Sequence, residues 1–185
     1  KRHVRVCLGQ RVTVASLLEF DKVVLATGLK PRLPEFSGLH HPKVKTYIEA
    51  IQQPEKIGPR VALIGAGGIG FDVAEMLSEP VHVASSDPLT RYRSEWGIDP
   101  SLKQPGGLVA PQPQVPGRHI TMLQRSPGKQ GKRLARTTGW IRRTQLERRG
   151  VQQLSGVAYE GVDDAGLHIV VNGEPQCIEV DHIVL

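Results

Sequence analysis

Cysteine is nearly absent: only Cys7 and Cys177 occur in 185 residues, far apart and outside any C-x-x-C spacing. A disulfide framework, a zinc site and a redox-active dithiol built from this chain alone are thereby excluded. Long apolar runs are missing too. None approaches the ~20 residues of a bilayer span, and no signal-peptide pattern opens the chain, so the expected location is cytoplasmic with no membrane partner. There is no methionine at position 1, and no turn residues close the apolar run Ile183-Val184-Leu185. The chain therefore reads as a piece of something longer, and any function assigned to it is partial. Acids are scarce in one stretch: Arg118–Arg149 holds ten Lys/Arg and one acid, Glu147, a local charge of +9, while the remaining residues sum to −3. Such an excess suits an anionic partner or a solvated basic face.

What is present describes one globular, loop-rich domain. Apolar residues make up 39%, with 20 Gly and 14 Pro, and the length suits one full domain better than two. Arg5–Thr13 reads as a strand turning at Gly9-Gln10, Val14–Phe20 as a short helix, and Asp21–Ala26, ended by Thr27-Gly28, as a buried parallel strand. Residues 30–42, with three prolines, form a connector; His40-His41-Pro42 lacks a third ligand nearby and reads as a turn, so no metal is expected. Val44–Gln53 is expected to be helical. Arg60–Ile64 is a strong buried strand, followed by a helix whose apolar face carries Phe71, Val73, Ala74, Met76 and Leu77 and which Pro80 stops. Residues 84–118, with six prolines, show little periodicity and read as an insertion or a functional loop. Order resumes with a strand at His119–Leu123 and a basic loop, Arg125–Arg136. Then comes a helix from Gly139 to Arg149, with Thr138 at its N-cap and Gly150 beyond its end. Val151–Leu154 is another strand. Val157–Tyr159, Leu167–Val171 and Cys177–Val180 form a β-meander turning at Asn172-Gly173, and a last strand starts at His182. The expected fold class is α/β, a Rossmann-like parallel sheet with a β-meander.

One motif carries chemistry. Gly65-Ala66-Gly67-Gly68-Ile69-Gly70 follows a strand and opens a helix, the context that turns a weak G-x-G-x-x-G into a dinucleotide fingerprint. Gly65 permits the tight turn, Gly67 lets the backbone approach a pyrophosphate, and Gly70 lets the helix pack close. The amides at the helix start then face the phosphates. The choice among NAD(H), NADP(H) and FAD depends on the end of the next strand. If that strand is Val81–Val83, Asp87 would hold ribose hydroxyls. If it is His119–Leu123, it ends at Gln124-Arg125 with Lys129, Lys132 and Arg133 close behind, and cations there suit a 2′-phosphate. Pro80 and Pro88 weaken the first option, so the pattern leans to NADPH.

Val23–Gly28, the Gly65–Gly70 fingerprint and the terminal apolar run resemble the pyridine-nucleotide–disulfide oxidoreductase superfamily. Gly68–Asp72, Glu95-Trp96-Gly97-Ile98-Asp99, Gln104-x-Gly106-Gly107-Leu108, Met122–Arg125 and Thr137–Ile141 look like the C-terminal half of bacterial NADPH-dependent 2,4-dienoyl-CoA reductases. The resemblance implies a remnant of an FAD-binding domain over 1–30, a connector over 31–58, and an NAD(P)H-binding domain over 59–185 with an insertion at about 81–118. In such enzymes NADPH passes hydride to FAD, and electrons move through a 4Fe–4S cluster to FMN in an N-terminal barrel that reduces an unsaturated acyl-CoA. Cluster and FMN belong to that barrel, and no catalytic residue is assigned to this chain. By the same resemblance Gly65, Gly67 and Gly70 hold the pyrophosphate, Arg125 the 2′-phosphate with Lys129 or Lys132 as second cation, and Thr27 and Gly28 touch FAD. Asp72 falls where related reductases place a glutamate that reaches the nicotinamide carboxamide; an acid in a helix's first turn is equally favoured by the dipole. The glycine fingerprint for FAD itself is missing, so this chain is expected to hold FAD poorly alone. Two other classes share features: a different NAD(P)H-dependent flavoprotein reductase or stand-alone dinucleotide module, and a nucleic-acid binder. The last is disfavoured because the basic segment has a single aromatic, Trp140, a poor stacking platform.

Overall fold

The computed structural model describes residues 4–80, 87–112 and 115–185, which fall into two units, up to Lys30 and from Pro31 onward. Among the described residues of the first unit the only regular element is helix α1, Val14–Leu17, shorter than expected and held by a capping box between Thr13 and Ser16. The two expected strands are not formed: Val24 and Leu25 are 87% and 81% exposed. A strand gains little until a neighbour pairs with it, and no described residue pairs with these.

The second unit is built on a parallel sheet in the order β1-β8-β2-β3-β4, where β1 is Val44–Lys45, β2 Arg60–Ile64, β3 His119–Gln124, β4 Gln152–Ser155 and β8 His182–Val184. Helices α2 (Tyr47–Gln52), α3 (Gly68–Ser78) and α5 (Gly139–Arg148) carry one side of the core. Here Phe71, Ala74, Leu77 and Leu146 pack with Val61, Leu63, Ile120 and Met122 of the sheet. The other face, Ala62, Leu123 and Ile183, is covered by an antiparallel meander of β5 (Val157–Val162), β6 (Leu167–Val171) and β7 (Glu174–Ile178). Burial on both faces explains why β2 reads as an unbroken apolar run. From β2 the chain steps outward to β3 and β4, then returns on the opposite side of β2 as β8. The strand order reverses between β2 and β8, which is where open α/β sheets place a ligand crevice.

The sequence reading needs three changes here. Val44–Lys45 is a strand paired with Ile183–Val184, and the helix starts only after Thr46, which shares a capping box with Glu49. Residues 87–112 are not structureless: α4, Pro88–Trp96, is capped by the Asp87 side chain and closed by Gly97 in the left-handed region. Asp87 is thus a helix cap. As the sequence favoured, the neighbour of β2 is β3, in register from Arg60↔His119 to Ile64↔Leu123; Val81–Val83 lie outside the described residues. Thr138 precedes α5 as expected but makes no capping bond.

Two buried groups fix α4 onto the domain. Glu95 pairs with Arg149 at 3.2 Å, and Arg149 also donates to the Glu75 carbonyl near the end of α3. Trp96 meets Trp140 edge-on at 6.5 Å under the Arg148 guanidinium. Arg118 donates to three carbonyls, of Pro54, Ile57 and Leu77, tying the C-terminal end of α3 to the preceding connector.

Beyond α4, the Asp99 carboxylate accepts from the Ser101 hydroxyl at 2.6 Å and from the amides of Ser101, Lys103 and Gln104. These donors hold it below the ordinary aspartate range, the Ser101 hydroxyl most strongly. A depressed acid stabilises above its unfolded value and loses that contribution as pH falls through the folded one. Hydrogen-exchange protection of amides 101, 103 and 104 is therefore expected to persist through about pH 3.9, the free-aspartate value, and to fail only below it. In Asp99→Asn those amides are expected to exchange faster wherever the wild-type carboxylate is ionised; unchanged protection there rules the carboxylate out as the organiser.

Candidate dinucleotide site

At the end of β2 the backbone turns through Gly65 at φ +121°, a conformation side chains rarely adopt, with its amide bonded to the Leu123 carbonyl at 2.8 Å. Gly67 is the N-cap of α3 and offers no side-chain cap, so the first amides of this 11-residue helix have no acceptor from a capping side chain. A Cβ at Gly67 or Gly68 would meet nothing within 4 Å, whereas one at Gly70 would lie 2.0 Å from the Gly65 carbonyl oxygen. Open space in front of two glycines and a helix start pressed onto the bend by the third are what a diphosphate cradle requires.

A cleft of about 920 Å³ opens at the carboxyl ends of β2, β3 and β8. Gly65, Ala66 and Gly67 form one wall and Arg125, Lys129, Lys132 and Arg133 another, with Arg32 and Glu35 from the connector. Five cations face one carboxylate. A smaller neighbouring cleft of about 270 Å³ is lined by Gly65, Gly67, Gly68, Ile69 and Gly70, with Tyr47, Leu63 and Val73. The turn after β3 is pinned by Gln124, whose amide nitrogen donates to the carbonyls of Ser126 and Gly128.

The residues expected from sequence divide accordingly. The six of the glycine loop and the cations Arg125, Lys129 and Lys132 line these clefts. Asp72 lines neither. It lies past the first turn of α3 and is paired with Arg142 of α5, so the first-turn role is corrected: its charge is engaged across two helices. Thr27 and Gly28 belong to the first unit and lie in chain without regular structure. Arg32, Glu35 and Tyr159 line the larger cleft without having been read from the sequence. The Tyr159 ring packs on Phe36 at 6.2 Å, and burial pushes its phenol up to about 12, with Arg125 opposing. It is neutral under ordinary conditions. No group of three or more His, Cys, Asp or Glu among the described residues could hold a metal. No described helix is long and apolar enough to cross a membrane.

Topology, glycine bend and cationic wall together define a Rossmann-like dinucleotide-binding domain. Comparison with known proteins carries this further: residues 2–185 match the pyridine nucleotide-disulphide oxidoreductase family, and the chain belongs to it. A mercuric reductase of Staphylococcus aureus is 24% identical over 185 residues, 96% of this chain and 25% of that protein. Among solved structures, a 2-naphthoyl-CoA reductase in complex with 2-naphthoyl-CoA superposes with a TM-score of 0.60 at 18% identity, over 86% of this chain and 19% of that one. The HOCl-induced flavoprotein disulfide reductase of Escherichia coli gives 0.52 at 15% identity, over 85% and 28%. The chain thus spans between 19% and 28% of the length of these proteins. The family is one of oxidoreductases that work with FAD and NAD(P)H. The open bend and cationic wall fit the diphosphate and any further phosphate of a pyridine nucleotide.

Proposed function

We propose that this chain binds NADPH and forms the electron-entry part of a flavin and iron–sulfur oxidoreductase resembling 2,4-dienoyl-CoA reductase. The observation that carries the reading is the cationic loop leaving the end of β3, with Arg125, Lys129 and Lys132 on the cleft that the glycine bend also lines. A doubly charged 2′-phosphate gains charge-assisted bonds there that a bare ribose hydroxyl does not. Gly65–Gly70 grips the diphosphate, Arg125 takes the 2′-phosphate, and Lys129 or Lys132 adds a second cation. NADPH supplies a hydride to FAD, which this chain shares with a flavin domain through Thr27 and Gly28. Residues 1–30 are assigned to that domain, 31–58 to the connector, and 59–185 to the nucleotide domain with its insertion at about 81–118.

The acceptor proposed is an unsaturated fatty acyl-CoA, reduced elsewhere in the parent protein, where FMN and the 4Fe–4S cluster reside. This rests on the resemblance of the Glu95–Asp99, Gln104–Leu108 and Thr137–Ile141 segments. The 2-naphthoyl-CoA reductase shares the fold.

Calorimetric titration of the chain with NADPH and NADH tests the reading: tighter binding of NADPH is expected, and equal affinity or a preference for NADH overturns it. In Arg125→Ala the NADPH/NADH ratio is expected to fall by about tenfold, roughly 1.4 kcal/mol, with the fold intact. An unchanged ratio moves the 2′-phosphate contact to another cation of the loop.

A further inference from the structure

Four of the five cations of the larger cleft stand on a loop between β3 and α5 that belongs to neither sheet. Within residues 125–138 every side chain but one is exposed or half-buried; the exception is Gln130, at 2% exposure. Its Nε2 donates to the carbonyls of Met122 in β3 and Leu154 in β4, both at 2.9 Å. One amide nitrogen therefore joins two adjacent strands to the loop, near the sheet end that opens into the cleft.

The chemistry of this anchor is specific. Two carbonyl oxygens at that distance require a nitrogen with two protons, which a carboxylate or an aliphatic side chain does not supply. The other amide atom, Oε1, is buried without a partner among the described residues, so the group is incompletely satisfied. What the amide adds is therefore location more than stability. Its backbone sits between Lys129 and Lys132. The next residue, Gly131, has φ +69°, and a Cβ added there would lie 2.8 Å from Leu134 Cδ1 and 2.9 Å from the Phe71 ring. Phe71 directly follows the glycine bend. The anchored loop thus approaches this buried ring, with Leu134 of the loop packed on the same core.

We propose that Gln130 is a positioning residue that fixes Lys129, Lys132 and the rest of the cationic wall, and so sets the discrimination between phosphorylated and unphosphorylated dinucleotide. This rests on the NADPH reading above. Gln130 itself touches no nucleotide; it acts through the cations it places.

Two substitutions separate position from packing. Gln130→Met keeps a similar volume and removes both donors. Gln130→Glu keeps the shape but, when ionised, turns an oxygen toward two carbonyl oxygens. Wild type and both variants are titrated calorimetrically with NADPH and NADH at pH 7.5 and 5.5, and their folds compared by circular dichroism melting. In both variants NADPH affinity is expected to fall about tenfold and NADH affinity by less than about twofold at pH 7.5, with native-like spectra. At pH 5.5 Gln130→Glu is expected to regain part of the lost NADPH affinity relative to wild type, because a protonated carboxyl donates to one carbonyl. Gln130→Met has no such proton and is expected not to recover. An unchanged NADPH/NADH ratio in both variants, equal weakening of the two nucleotides, or loss of fold in both overturns the positioning role alone. A wild-type chain that binds the two nucleotides alike overturns this inference together with the NADPH reading.

Discussion

Gly67→Val is expected to leave the domain folded while weakening dinucleotide binding by at least about a hundredfold, roughly 2.7 kcal/mol. The backbone at Gly67 is extended, at φ −89° and ψ −171°, which valine adopts without strain, and nothing stands within 4 Å of the added Cβ. The stability cost is confined to that of a poorer N-cap, about 1 kcal/mol or less. The empty space in front of Gly67 is, however, the space a diphosphate must enter to reach the amides of α3. Calorimetric titration with NADPH beside a thermal melt measures both quantities on one sample. Retained affinity in a folded Gly67→Val chain means that the diphosphate is bound somewhere else.

Gly70→Ala is expected to do the reverse. Its Cβ would lie 2.0 Å from the Gly65 carbonyl oxygen and 2.9 Å from the carbonyl carbon, both backbone atoms that cannot rotate aside. The start of α3 must lift off the bend, which also loosens Phe71, fully buried one residue later. A destabilisation of about 3 kcal/mol follows from overpacking of this severity. For a domain of this size that is a fall of roughly 6–12 °C in melting temperature. A melting point within a degree of wild type sinks the close-approach account of Gly70. Together the two substitutions separate the glycine that makes room for a ligand from the glycine that makes room for the protein.

Much of this was legible locally. A short β-branched run, three spaced glycines and an apolar helical face lie consecutively in the chain, and each reports its own conformation. The β-meander was readable for the same reason: Asn172-Gly173, both at positive φ, join two strands that pair with each other. Helix α4 also had its signals, an Asp-Pro start and a glycine stop, but the surrounding prolines made the whole stretch look unstructured. The remaining failures are non-local. The strand at Val44–Lys45 exists because β8 lies beside it, and the strands expected before Lys30 have no such neighbour among the described residues. Arg32 and Tyr159 reach the larger cleft by topology, from the connector and the meander. Gln130 carries no sequence signal because its burial depends on the Leu154 carbonyl, 24 residues away. Asp72 was interpreted by position in a motif, whereas its side chain is committed to Arg142, 70 residues on.

The two guanidiniums at the far end of α3 bear on how a nucleotide would come and go. Arg149 takes the carbonyl of Glu75 and Arg118 that of Leu77, so the helix's negative pole is neutralised inside the protein. At the opposite pole, Gly67 supplies no such compensation. The helix is electrically finished at the end that holds the domain together and unfinished only where solvent has access. On the proposed reading, a dinucleotide at Gly67 would complete a charge balance without being part of the scaffold, and α3 would stay seated when it left. A ligand held in this way can exchange, as the proposed role of NADPH as a hydride-donating co-substrate requires.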